Sequence, residues 1–131
     1  MTALLAGTAQ PLDTVTIDAG GELVTTTKAT LRQAPEGSIL ANMASDVWGH
    51  DLDSDGNIYQ DVNPDLFALI LAHLRLKQLM RTFPVPDTAH IEVPPIVVYE
   101  EQRTALDNLL SFYTLTDSAK IEVIRRIISK V

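Results

Sequence analysis

The feature that most constrains the fold is an apolar helix signal that follows Asn63. The side chain of Asn63 can accept hydrogen bonds from a first helical turn, and Pro64 is favoured at the first helical position. Apolar residues then recur at helical spacing, at Leu66, Phe67, Ile70, Leu71 and Leu74. Because such a stripe has to be buried against other elements, the sequence predicts a core helix from Pro64 to about Arg75.

The composition bounds the class of protein. The chain has 131 residues, a net charge of −7 and no cysteine. This length predicts one domain, and the lack of cysteine excludes a disulfide framework, a thiolate metal site and a cysteine nucleophile. The acidity disfavours nucleic acid as a partner. No apolar run approaches the roughly 20 residues of a membrane helix, and the N-terminus lacks a signal-peptide pattern. We therefore expect no membrane insertion and a cytoplasmic or nuclear location.

Local patterns in the first half predict a hairpin and short helices. Residues 1–13 carry no periodicity and are expected to form a flexible arm. The stretch "TVTIDAGGELVTTT" alternates at Val15 and Ile17, turns at Gly20-Gly21 and resumes with β-branched residues to Thr27, which predicts a β-hairpin. Two short helical pieces are expected next, one over 28–34 and one capped by Ser38.

The second half predicts two further helices. Residues 80–98 contain four prolines and are expected to be a loop with a short extended piece. Residues 99–113 carry apolar side chains at helical spacing and predict a helix. A last helix is expected over 117–131, where branched aliphatic residues recur at Ile121, Ile124, Ile127, Ile128 and Val131. Strands followed by helices predict an α+β domain.

The acidic segment 51–62 resembles the front of a calcium-binding loop. The loop positions one, three, five, six and eight are matched by Asp51, Asp53, Asp55, Gly56 and Ile58. The twelfth position, where an EF-hand has a bidentate glutamate, is Val62, which has no side-chain oxygen. The favoured interpretation is a turn at Asp55-Gly56 between short strands. A calcium-responsive binding protein that uses the acidic loop at 51–61 is the alternative.

Taken in order, these motifs resemble the BTB/POZ fold in its potassium-channel tetramerisation (KCTD-like) branch. The resemblance covers about residues 14–116 and rests on the order and spacing of short matches. The matching residues are Gly20, Gly21, Thr26, Asp55, Gly56, Tyr59, Asp61, Asn63, Pro64, Phe67 and Arg75. The pair Phe112-Tyr113 resembles the closing aromatic pair of the family. The family's charged box reads Asp61-Val62-Asn63-Pro64 here, so its arginine is missing.

The resemblance implies a BTB/POZ-like domain over 14–116, a small mixed sheet with an N-terminal hairpin packed against a cluster of α-helices, followed by a C-terminal helix over 117–131. It implies a non-enzymatic protein–protein interaction domain that forms homo-oligomers, with the charged box where subunits meet. It also implies an adaptor or scaffold role toward other proteins, among them a cullin-type ubiquitin-ligase scaffold. No cofactor, metal site or catalytic residue is expected, because no phosphate loop or nucleophile motif is present.

Overall fold

The structure, a computed structural model, describes residues 13–45, 49–83, 92–117 and 119–125. The strands among these residues are β1 (Thr14–Ala19), β2 (Glu22–Thr27), β3 (Ile58–Gln60), β4 (Ile96–Tyr99) and β5 (Ile121–Ile124). The α-helices are α1 (Lys28–Leu31), α2 (Ile39–Asn42), α3 (Pro64–Thr82) and α4 (Arg103–Phe112), with a 3₁₀ turn over Glu100–Gln102. Strands and helices share one apolar core, so the predicted α+β class is confirmed.

The predicted hairpin is present and forms most of the larger sheet. Strands β1 and β2 pair antiparallel, and β3 pairs parallel to β1, so the strand order is β2-β1-β3. The turn has left-handed backbone at Gly20 (φ +57°) and Gly21 (φ +102°). The amide of Gly21 donates to the Asp18 carboxylate at 2.8 Å. Alternation along β1 puts Ile17 and Ala19 in the core and leaves Asp18 on the outer face.

Polar side chains begin the helices. Thr27 caps α1, and Ser38 caps α2 as predicted. The predicted cap of the core helix is also present, since Asn63 accepts hydrogen bonds from the amides of Asp65 at 2.9 Å and Leu66 at 3.1 Å. These caps satisfy amides that have no partner within the helix, so the helix starts are set by local chemistry.

Helix α3 buries the predicted stripe but runs further than predicted. Its buried residues are Leu66, Phe67, Ile70, Leu71, His73 and Leu74. It continues to Thr82, whereas the sequence predicted an end near Arg75 and a loop from residue 80. The extension follows because residues 76–82 are good helix formers and the next proline is Pro84.

The predicted helix over 99–113 is present as the 3₁₀ turn and α4. The predicted helix over 117–131 is wrong for Ile121–Ile124, which form β5 and pair parallel with β4. The segment has apolar residues that suit either period, and its β-branched side chains favour a strand where β4 offers an open edge. Helix α4 is then the crossover between two parallel strands.

Several predictions fall outside the described residues. These are residues 1–12 of the arm, 84–91 of the loop and 126–131 of the last helix. Of the helices that the structure describes, none has the length and apolar character that crossing a membrane requires.

Candidate protein–protein interaction surface

The hairpin turn and the Asp61–Pro64 box lie against each other. The amide of Gly20 donates to the Gln60 carbonyl at 2.8 Å. A Cβ atom on Gly20 would overlap the carbonyl oxygen of Val62 and would lie 3.3 Å from Cδ of Pro64. Glycine is therefore required at this position for two reasons, the left-handed backbone and the close approach of the Val62 carbonyl. Two motifs far apart in sequence thus form one structural unit.

The acidic loop folds as the predicted turn at Asp55-Gly56. One carboxylate oxygen of Asp53 accepts from the amides of Asp55 at 2.9 Å and Asn57 at 2.8 Å, and the other accepts from Nδ2 of Asn57 at 3.2 Å. An antiparallel bridge joins the two sides of the turn. Both oxygens of Asp53 therefore hold the loop together. Among the described residues, no group of three or more His, Cys, Asp or Glu side chains is arranged to hold a metal ion.

Carboxylates gather on the outer face beside β3. We call Asp18, Asp53, Asp55 and Asp61 the acidic edge. The hydroxyl of Tyr59 lies among them and donates to Asp61 at 3.4 Å. The charge of Asp61, then burial, then the charge of Asp18 raise the pKa of Tyr59. The raised pKa indicates that Tyr59 lies in a negative electrostatic field. Such a field favours contact with a positively charged partner surface.

The pKa values of two carboxylates in the acidic edge shift in opposite directions. Partial burial and a hydrogen bond with the Asp53 carboxyl raise the pKa of Asp18. Partial burial also acts on Asp53, but the backbone and side-chain hydrogen bonds from Asn57 outweigh it and lower the pKa of Asp53. The pair is therefore arranged with Asp53 ionised and Asp18 as the group that is costly to ionise.

Basic side chains lie beside β2 and just after α1. Nη2 of Arg75 donates to the carbonyl of Thr25 in β2 at 2.9 Å. Nζ of Lys77 donates to the carbonyl of Gln33 at 3.4 Å, and the adjacent Arg32 is exposed. We call Arg32, Arg75 and Lys77 the basic side. Since Arg75 contacts β2 and Asp61 directly follows β3, the basic side and the acidic edge lie at different outer strands of the sheet, and β2 also carries the exposed Glu22 at its start.

An open apolar groove lies between the start of α3 and α4. Its volume is about 420 Å³, and it is lined by Asp61, Val62, Asn63, Leu66, Ala105, Asn108, Leu109 and Phe112. Phe112 is 54% exposed, although the centroid of its ring lies 5.0 Å from the centroid of the Tyr113 ring. Sequence reasoning missed this groove because it depends on how two helices meet. The only signal in the sequence was the apolar spacing of Leu109 and Phe112.

The motif residues predicted from the sequence separate into two groups. Thr26 and Phe67 are buried, while Gly20, Gly21 and Pro64 shape the turn and the start of α3. The surface group consists of Asp55, Gly56, Tyr59, Asp61, Asn63 and Arg75. The first group supports the fold, and an interface role for the second group stays a prediction.

A mixed sheet backed by helices, with an acidic edge, a basic side and an apolar groove, defines a small α+β domain with several candidate contact surfaces. The sequence model of the family described as "BTB/POZ domain" matches residues 15–91, more than half of the chain. The chain therefore belongs to the BTB/POZ family, and the predicted potassium-channel tetramerisation type is confirmed. Protein–protein interaction and oligomerisation are typical of this family, whose domains are generally non-enzymatic.

The chain is similar to two curated relatives, the BTB/POZ domain-containing protein KCTD9 of Mus musculus and that of Homo sapiens. Each is 40% identical over 70 residues, which is 52% of this chain. The same stretch is 21% of the mouse protein and 18% of the human protein. The chain thus matches about a fifth of the length of these relatives.

Proposed function

We propose that this chain is a non-enzymatic scaffold domain that assembles with copies of itself and binds other proteins. The position of the acidic edge and the basic side at different outer strands of the sheet is the observation that carries the proposal. The acidic edge of one copy is complementary to the basic side of another, and the contact joins two different surfaces. Such a head-to-tail contact generates a closed ring or an open filament. Membership of the BTB/POZ family supports self-association independently.

The absolute mass in solution tests this proposal. Light scattering over a concentration series is expected to give a mass above that of one 14.4 kDa chain. Added salt is expected to lower the mass, because it shortens the distance over which exposed charges attract, from about 8 Å at physiological ionic strength to about 3 Å at 1 M. A full-length chain that stays monomeric across the series contradicts self-association.

Charge reversal tests which surfaces meet. Asp61→Lys places a positive charge on the acidic edge and is expected to reduce the mass. Glu122→Lys is the matched control, because it makes the same charge change on an exposed residue of β5, away from both surfaces. Equal effects of the two variants would show that net charge matters and that the acidic edge does not.

We further propose that the assembled domain couples a second protein, with a cullin-type ubiquitin-ligase scaffold as the partner class that the family resemblance implies. Calorimetric titration of a purified cullin scaffold into the chain tests this directly. We expect the heat of each injection to fall to a baseline as the binding sites fill. A flat titration with an assembled chain contradicts cullin coupling and leaves self-association intact.

A further inference from the structure

Two large apolar side chains, one in the last turn of α3 and one at its C-cap, are exposed. Leu79 is 54% exposed and Phe83 is 69% exposed. Arg75 and Leu79 are four residues apart on one face of the helix, and the amide of Phe83, the C-cap, donates to the Leu79 carbonyl at 2.9 Å. We call Leu79 and Phe83 the knob. Adjacent exposed apolar side chains of this size are typical of a contact surface.

The groove at the other end of α3 is suited to receive such side chains. Its floor is apolar and consists of Val62, Leu66, Leu109 and the exposed ring of Phe112. Its volume of about 420 Å³ is within the range of pockets that enclose small organic groups. The carboxylate of Asp61 stands among the lining residues, where it can face a positive charge that arrives with the apolar group.

We propose that the knob of one copy of this chain inserts into the groove of a second copy. The inference rests on the proposed self-association and names the apolar contact within it. Two kinds of complementarity support this contact. The apolar side chains of the knob match the apolar lining of the groove, and the positive charge of Arg75 beside the knob matches the negative charge of Asp61 beside the groove. The contact joins different surfaces, as a head-to-tail assembly requires.

The two surfaces cannot meet within one chain. The groove lies at the first turn of α3, and the knob lies at the end of the same 19-residue helix. At about 1.5 Å per residue the helix is about 28 Å long, and it holds the two surfaces apart. A knob that fills a groove therefore has to come from another molecule.

Engineered cysteines provide the test, because the chain has none of its own. Phe83→Cys puts a thiol on the knob, and Ala105→Cys puts one in the exposed wall of the groove. Under mild oxidation, the double variant is expected to form a ladder of disulfide-linked chains on a denaturing gel. An equimolar mixture of the two single variants is expected to form a linked pair and no ladder. The control is Val97→Cys combined with Ala105→Cys, since Val97 is exposed on β4, outside the knob and the groove.

The outcomes separate this inference from the proposed function. A ladder that exceeds the control supports the contact, and loss of assembly in Phe83→Ser with an unchanged far-UV circular dichroism spectrum supports it further. An assembled protein without the ladder overturns the contact and leaves self-association standing. A monomeric wild-type chain overturns both. Linked pairs from Phe83→Cys alone, above those from Val97→Cys alone, would show that knob meets knob and would also overturn the contact.

Discussion

The hydroxyl of Tyr113 donates a 2.7 Å hydrogen bond to Oε1 of Gln60, across 53 residues of sequence. Tyr113 is fully buried, and burial raises its pKa far above the ordinary value, so the hydroxyl stays protonated and donates. Gln60 ends β3 and leads into the Asp61–Pro64 box. This bond ties the end of α4 to the strand beside the acidic edge.

We expect Tyr113→Phe to lower the free energy of unfolding by about 1–2 kcal/mol, because the acceptor on Gln60 loses its donor. Urea denaturation followed by circular dichroism measures the change. Tyr59→Phe is the matched control, since its hydroxyl makes an exposed 3.4 Å contact with Asp61. If both variants are equally stable, the Tyr113 bond contributes nothing to the fold.

Leu71→Asp is expected to unfold the domain. Leu71 is fully buried in α3, and an unpaired buried carboxylate costs several kcal/mol out of a typical stability of about 5–15 kcal/mol. Leu79→Asp makes the same change on an exposed residue of the same helix and is expected to stay folded. Thermal melting compares them, and a wild-type melting curve for Leu71→Asp would mean that the core is placed wrongly.

Gly20→Ala is expected to destabilise the domain more than Gly37→Ala. Both glycines have left-handed backbone, at φ +57° and +83°, so both substitutions carry strain of about 1–3 kcal/mol. Only at Gly20 would the new methyl group overlap the carbonyl of Val62, whereas nothing lies within 4 Å at Gly37. Denaturation midpoints measure the difference. Equal losses would argue against the close approach between hairpin and box.

The pH dependence of stability follows from the raised pKa of Asp18. A raised folded-state pKa favours the protonated form, so this stabilisation is present below the ordinary value of 3.8 and is lost as pH rises through the folded-state pKa. We therefore expect Asp18→Asn to melt above the wild type at neutral pH, with the gap closing as pH falls below 3.8. A gap that is independent of pH would point to a cause other than ionisation of Asp18.

Calcium is expected to leave the melting temperature unchanged. Binding to the folded state alone adds about 2.7 kcal/mol of stability at a hundredfold excess over Kd, so a functional site would be visible. Both carboxylate oxygens of Asp53 already accept hydrogen bonds within the turn. Val62, at the twelfth position, has no side-chain oxygen that could bind calcium. Melting curves with calcium and with chelator test this. A rise of several degrees that Asp53→Ala abolishes would restore the calcium-loop interpretation.

Features that depend on near neighbours were readable from the sequence. Ser38 and Asn63 cap amides two or three residues ahead, and Gly20-Gly21 and Asp55-Gly56 form turns within a few residues. The buried apolar face of α3 was also predictable, because the spacing of its apolar residues places them all on one side of a helix. In each case the interacting groups are close in the chain, so local chemistry decides the conformation.

Features that depend on distant partners were decided by the tertiary structure. Ile121–Ile124 suit a helix or a strand, and the open edge of β4 selects the strand. The groove exists because α4 packs beside the start of α3, and the acidic edge and the basic side lie at different outer strands because β1 lies between β2 and β3. Local sequence alone decides none of these features. Each arises from which surfaces come together when the core closes, and that is a property of the whole chain.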